Sequence, residues 1–317
     1  MNNQAIDLYL KTKKDWDKRA SVRISEENYD LNLIDSGVDE NWHLPSYSGI
    51  LQHKDLTSLN DSQKRFIMGT QLLEFVEKTA IFEVEYVNKV ANSLALNKYN
   101  FEIPEILKID ALKIYTDEGF HAHFSKKMSN DIKEYYNIDD DLYPFLKGFF
   151  EKVENIGSKF EKKYKHLSEI ASTIVSESMI VQDMSGEMKG IVYKPIIAMF
   201  KDHMIDEAFH ANYFGTLFKI IWPQLNEFEK EIMGFNLFES MIIFGTPRVD
   251  IYYYSLSRLG YSKEFISKCI EDTYGTSNWK IDNIKKRMSQ TLKLLDICGV
   301  FKISSVRQCF LKQGLIN

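Results

Sequence analysis

The chain is poor in cysteine, with three in 317 residues, and Cys269, Cys298 and Cys309 show no CxxC spacing. That pattern excludes a disulfide scaffold and a thiolate metal or iron–sulfur site, and it predicts reduced, structural thiols. No uninterrupted apolar run approaches the length of a membrane span, and Met1 to Lys18 is polar and charged, without the apolar core of a signal peptide. The expectation is a soluble, cytoplasmic protein with no membrane partner. Basic residues come in short groups, as in Lys11 to Lys14 and Lys285 to Arg287, and the net charge is -5, so nucleic acid is not an expected partner. GxGxxG and P-loop signatures are missing, so any electrons the chain needs must come from elsewhere.

No alternating pattern is long enough for a sheet, and 44% apolar composition predicts a globular core. We expect an all-α protein, one domain over residues 1–317, with a helical bundle over about 61–221 and additional helices over about 226–316. Asp61 is the expected cap of a helix running to about Asn97, and Pro104 opens a second past Phe124. A third is expected over about Glu151–Asp183, broken by Gly186 and Gly190, and a fourth from near Pro195 to about Ile221. Beyond Pro223, residues 226–244, 249–259, 262–272 and 279–297 read as further helices.

The string Asp117-Glu118-Gly119-Phe120-His121 returns as Asp206-Glu207-Ala208-Phe209-His210 inside two of these helices. Glu and His three residues apart lie one turn apart on one helix face, so each ExxH aims a carboxylate and an imidazole at one point. A third copy, Asp39 to His43, lies between Gly37 and Pro45 and reads as a loop. In dinuclear bundles, each ExxH helix follows a helix that gives a single Glu to the same metal pair. Glu83 precedes Glu118 by 35 residues and Glu177 precedes Glu207 by 30, and each is an acid on an apolar face, where burial without a partner is costly. Glu85 points about 160° away from Glu83 around an ideal helix, which favours Glu83. His203, four residues before Glu207, joins Glu207 and His210 within about 60° of arc.

The expected ligands are therefore Glu83, Glu118, His121, Glu177, His203, Glu207 and His210. Four carboxylates balance two divalent ions, and a nitrogen and oxygen set without thiolate suits iron, with manganese acceptable in one position. Asp117 and Asp206 are the expected hydrogen-bond partners of the ligand histidines, which commonly donate their second ring N–H to a carboxylate. Phe82, Tyr86, Phe120 and Phe209 flank the ligands, and we read them as core before pocket.

The order Glu, ExxH, Glu, HxxxExxH resembles the non-haem diiron N-oxygenases typified by p-aminobenzoate N-oxygenase and the arylamine oxygenase of chloramphenicol biosynthesis, over residues 60 to about 300. The segment Thr291 to Asp296 looks like that family's closing helix. The resemblance implies a ferritin-like bundle in which Glu118 and Glu207 bridge two irons. Glu83 and His121 complete one iron, and Glu177, His203 and His210 the other. It implies dioxygen as co-substrate, a peroxo-diiron intermediate, a small amine oxidised to hydroxylamine, nitroso or nitro product, an external reductase or ferredoxin, and a homodimer. Other oxidases or hydroxylases on the same scaffold share these ligands. A radical-generating subunit is disfavoured by Ser125, four residues after His121 where that class has tyrosine, and an iron-handling ferritin by chain length and the third histidine.

Overall fold

Ile6, Tyr9 and Trp16 recur at helical spacing in the polar opening segment. The computed structural model describes residues 2–13, 15–25, 29, 48–187 and 193–317, and here that segment forms α1 (Asn2–Thr12), α2 (Trp16–Arg19) and α3 (Ser21–Ile24). The Asp39–His43 motif and Gly190 lie outside the described residues. Tyr9 is fully buried, and its hydroxyl donates to Asp110 at 2.7 Å, tying α1 to the bundle.

Asn60, not Asp61, caps the first long helix. Its side chain accepts from Gln63 N–H while the Gln63 side chain accepts from Asn60 N–H, a reciprocal capping box that satisfies two donors. The helix runs as α4 (Asp61–Phe82), a π-helical turn (Glu83–Val87) and α5 (Asn88–Ala95). Pro104 opens α6 (Glu105–Tyr136), and Asn137 closes it in the left-handed conformation at φ 49°. The expected third helix is two. After α7 (Tyr143–Glu154) the chain turns through Gly157 at φ +71°, where a Cβ would meet the Asn236 side chain at 2.7 Å, and α8 (Lys165–Glu187) starts afresh. Glu177 thus sits mid-helix, and Gly186 lies in the last described turn of α8.

Lys194–Ile221 forms α9, followed by α10 (Glu227–Gly245), α11 (Asp250–Arg258) and α12 (Lys263–Tyr274). The expected 279–297 helix divides at Met288, which leaves the helical region at ψ 19°, into α13 (Ser277–Arg287) and α14 (Ser289–Cys298); α15 (Ser304–Lys312) ends the chain's helices. Thr291, in the segment that resembles a closing helix, shares a 2.5 Å hydroxyl hydrogen bond with Ser178 on α8. No strand occurs among the described residues.

Four helical rods form the core: α4 with its π turn and α5, then α6, α8 and α9. The first pair is antiparallel, as Tyr136 Oη donates to the Arg65 carbonyl at one end while Glu83 faces His121 further along. α8 and α9 are an antiparallel pair too, since Met184 late in α8 and Ile196 early in α9 lie in one apolar cluster while Leu167 early in α8 and Leu217 late in α9 lie in the other. A buried apolar cluster including Leu107, Ile174, Phe214 and Leu237 fills one end of the bundle, and a second including Met68, Phe124, Met184 and Phe200 fills the other. The candidate ligands lie between these two apolar layers. Cys269 is buried, and none of the three cysteines is paired. Among the described residues no helix is long and apolar enough to cross a membrane.

Candidate metal centre

The bundle brings all seven candidate ligands into one buried cluster, none of them more than 3% exposed. One atom from each of Glu83, His121, His203 and Glu207 lies within 4.8 Å of the others, as does one from each of Glu118, Glu177, Glu207 and His210. Glu207 belongs to both groups. This division differs from the one the resemblance implies. His203 stands with Glu83, its Nε2 3.1 Å from Oε1, and its ring centroid is 4.1 Å from that of His121. The reason is helix polarity. Moving from Glu118 to His121 along α6 leads toward the first group, whereas moving from Glu207 to His210 along α9 leads away from it. The two helices therefore run in opposite senses, and His203, one turn before Glu207, falls on the Glu83 side.

Glu83 opens the π-helical turn, in which Asn88 N–H bonds the Glu83 carbonyl five residues back. The wider turn inserts a residue without ending the helix, a device frequent at functional sites. It leaves Glu83 buried and Glu85 exposed, so the interior carboxylate is the one expected.

Both carboxylate oxygens of Glu83 and of Glu118, one oxygen each of Glu177 and Glu207, and Nδ1 of His121 and His210 are buried without a hydrogen-bond partner. They nevertheless crowd together: His210 Nδ1 is 3.0 Å from Glu118 and 3.4 Å from both Glu177 and Glu207, and His121 Nδ1 is 3.4 Å from Glu207 and 3.5 Å from Glu118. Orphaned acceptors converging at these distances are costly unless a cation sits among them. The donor set fits two hard divalent ions, with four carboxylates to neutralise them.

The protonation pattern has the same cause. Burial drives the Glu83 carboxyl up to about 7, with the Glu118 charge adding to it, and burial together with the charges of Glu207 and Glu118 holds Glu177 well above the usual range. Burial also raises Glu207, but three histidines outweigh it and hold that carboxyl well below normal. For His121 and His210, burial opposes the charged form, yet their carboxylate neighbours prevail and both imidazoles are raised well above normal. Protons thus stand in for cations.

Two aspartates set the ring orientations crosswise. His121 Nε2–H on α6 donates to Asp206 on α9 at 3.1 Å, and His210 Nε2–H on α9 donates to Asp117 on α6 at 3.2 Å. Each bond leaves Nδ1 facing the carboxylates. His203 differs, turning its Nε2 inward to Glu83 and Glu207. The aspartates are themselves held by residues that sequence reasoning missed. Trp16 Nε1–H donates to both Asp117 oxygens at 2.9 Å, and Ser21 gives Asp206 its hydroxyl at 2.5 Å and its backbone N–H at 3.1 Å. Ile6 and Tyr9, one turn apart on α1, and Trp16, which opens α2, are the apolar signal that this polar segment packs inward.

Phe124, also missed, packs against both His121 and His203, with centroids 5.4 and 5.5 Å away. Phe82 and Phe209 are buried core, Phe120 packs edge-on against Phe124, and Tyr86 stacks between Phe82 and Phe150. A cavity of about 840 Å³ beside Tyr86, Tyr143 and Phe150 has none of the seven ligands in its wall.

A family model described as p-aminobenzoate N-oxygenase AurF matches residues 13–296 of the chain. No curated protein matches it significantly.

Proposed function

Because the chain belongs to the p-aminobenzoate N-oxygenase AurF family, we propose that it is a diiron monooxygenase that uses dioxygen to oxidise the nitrogen of a small arylamine to a hydroxylamine, nitroso or nitro product. The observation that carries this reading is the pair of buried four-residue groups sharing Glu207. Glu83, His121 and His203 would hold one ion, Glu118, Glu177 and His210 the other, and Glu207 would serve both. Two ferrous ions so held would supply two electrons to dioxygen and the means to pass one of its oxygen atoms to an amine nitrogen. An external one-electron donor restores the ferrous state.

The chain's own residues prepare this chemistry. Their burial excludes water, which strengthens each electrostatic contact and limits wasteful release of activated oxygen. Asp206 and Asp117 fix His121 and His210 so that Nδ1 of each faces inward, and the Trp16 and Ser21 donors keep those aspartates in place. Glu83 and Glu177, whose carboxyls readily take protons, can accept or release a proton as the charge between them changes. Phe124, itself buried, closes the apolar side of the cluster against both His121 and His203.

The test is to measure iron per chain, then mix anaerobically reduced protein with dioxygen in the presence of aryl and alkyl amines. Two irons, and an oxidised nitrogen product from an arylamine, are expected. Protein that takes up no iron, or that oxidises two irons while leaving every amine unchanged, removes this reading.

A further inference from the structure

The Trp16–Asp117–His210 path reaches from a candidate ligand to the outer layer of the protein. Its two contacts are hydrogen bonds, Trp16 Nε1–H to Asp117 at 2.9 Å and His210 Nε2–H to Asp117 at 3.2 Å. Trp16 is partly buried, and the guanidinium of exposed Arg23 lies 5.6 Å from its ring centroid. The crosswise counterpart begins at His121 and passes through Asp206, but it ends on Ser21, whose hydroxyl carries no π system. The two arms are alike in geometry and different in electronic character.

We propose that Trp16 is the conduit through which electrons reach the metal centre, the external donor giving them up at the indole and Asp117 and His210 carrying them inward. The proposal rests on the diiron reading above. The ligands are buried, so each electron has to tunnel through protein, and tunnelling is more efficient across hydrogen bonds and a π system than across van der Waals gaps. Each electron reduces one ferric ion to ferrous and oxidises the donor by one, and Trp16 is unchanged after each transfer. Over residues 15–23 the exposed Lys18, Arg19 and Arg23 outnumber the exposed Asp15 and Asp17, which pair with Lys18 at 3.1 Å and Arg23 at 3.7 Å, and the net positive charge suits a donor with an acidic face or an anionic small reductant.

The test follows anaerobic reduction of the fully oxidised, iron-loaded protein by dithionite, whose active form is a one-electron anion. Trp16→Phe keeps an aromatic filler but removes the N–H link. It should retain two irons and slow reduction about tenfold or more. Ser21→Ala, which loosens the other aspartate and leaves the Trp16 path untouched, should slow reduction by less than Trp16→Phe does, and Trp16→Tyr, with a ring and a donor, should recover part of the loss. Wild-type speed in Trp16→Phe, or equal slowing in Ser21→Ala, overturns the conduit while leaving the diiron reading intact; wild-type protein that holds no iron removes both.

A second measurement needs no variant. A path that carries electrons inward also lets the oxidised centre draw one outward, so reduced wild-type protein given dioxygen without amine should oxidise Trp16. In that event the indole gives up two electrons in single steps, which with the two from the ferrous ions reduce dioxygen to water, and a water oxygen adds to the oxidised ring as two protons leave, one of them to Asp117. Peptide mass mapping should find the added oxygen on Trp16; finding it on Tyr9 or Tyr213 instead would overturn the conduit.

Discussion

Asp206 on α9 accepts a hydrogen bond from Nε2–H of His121 on α6 at 3.1 Å, so one helix of the centre orients a ligand belonging to the other. Asp206→Asn keeps the size of the side chain but replaces a charged acceptor with an amide. Losing a partner of this kind typically costs about 10–100-fold in metal affinity. We expect a loss of that size, read by competition with a chelator, with helix content unchanged. Undiminished affinity would make Asp206 a packing residue.

His203 faces Glu83, which fixes the ion it would serve. His203→Ala should lower iron from about two to about one per chain, with the remaining ion on the His210 side. A cobalt-substituted variant would display the loss as one missing set of visible bands. Full occupancy would take His203 off the ligand set. Glu85→Gln on the exposed face and Glu40→Ala in the N-terminal motif are the matching controls, both expected to keep two irons.

Metal uptake should depend on pH in a definite direction. To bind metal, His121 and His210 must lose protons that their carboxylate neighbours favour, and Glu83, raised to about 7, must lose one as well. Protons therefore compete as pH falls. Affinity of the metal-free protein for iron should drop steadily from about pH 8 to about pH 6, with protons released on binding. A pH-independent affinity across that window would contradict the buried charge balance.

The same burial predicts a conflict between function and stability. The Glu83 carboxyl titrates at about 7 in the fold against an ordinary 4.5, so its raised value penalises the metal-free fold as pH climbs through that interval, and the penalty is complete above about 7. Glu83→Gln removes it. The metal-free variant should be more stable than wild type at about pH 8, by about 1–3 kcal/mol, and equal to it near pH 4. Chemical unfolding at both pH values measures this, and iron loading should fail in the variant. Lower stability at both would show that Glu83 is held by contacts rather than strained by burial.

Much of this centre is legible in the sequence because helical periodicity is local: Glu118 to His121 and Glu207 to His210 need only the pitch of a helix to share a face. The side on which His203 falls depends on the relative direction of α6 and α9, a tertiary fact with no local signature. The π turn at Glu83 was equally invisible, since one inserted residue leaves the apolar pattern helical on both sides. The expected boundary near Glu151 differs from the fold because α7 and α8 are both apolar and helical, and Gly157 alone marks the turn between them. Trp16 and Ser21 have little local signature, because the segment that carries them is polar and charged and only its few apolar residues mark it as packed.

The hydrogen bonds from Trp16 and Ser21 span 101 and 185 residues of sequence. Contacts this remote form only after a large part of the chain is in place. During synthesis, the segment that carries Ser21 must wait for α9 before Ser21 finds Asp206, and a nascent chain that stops short of α9 lacks three of the seven candidate ligands. Iron loading would then report a completed chain, and truncated or misassembled copies would be left without the metal that makes dioxygen dangerous.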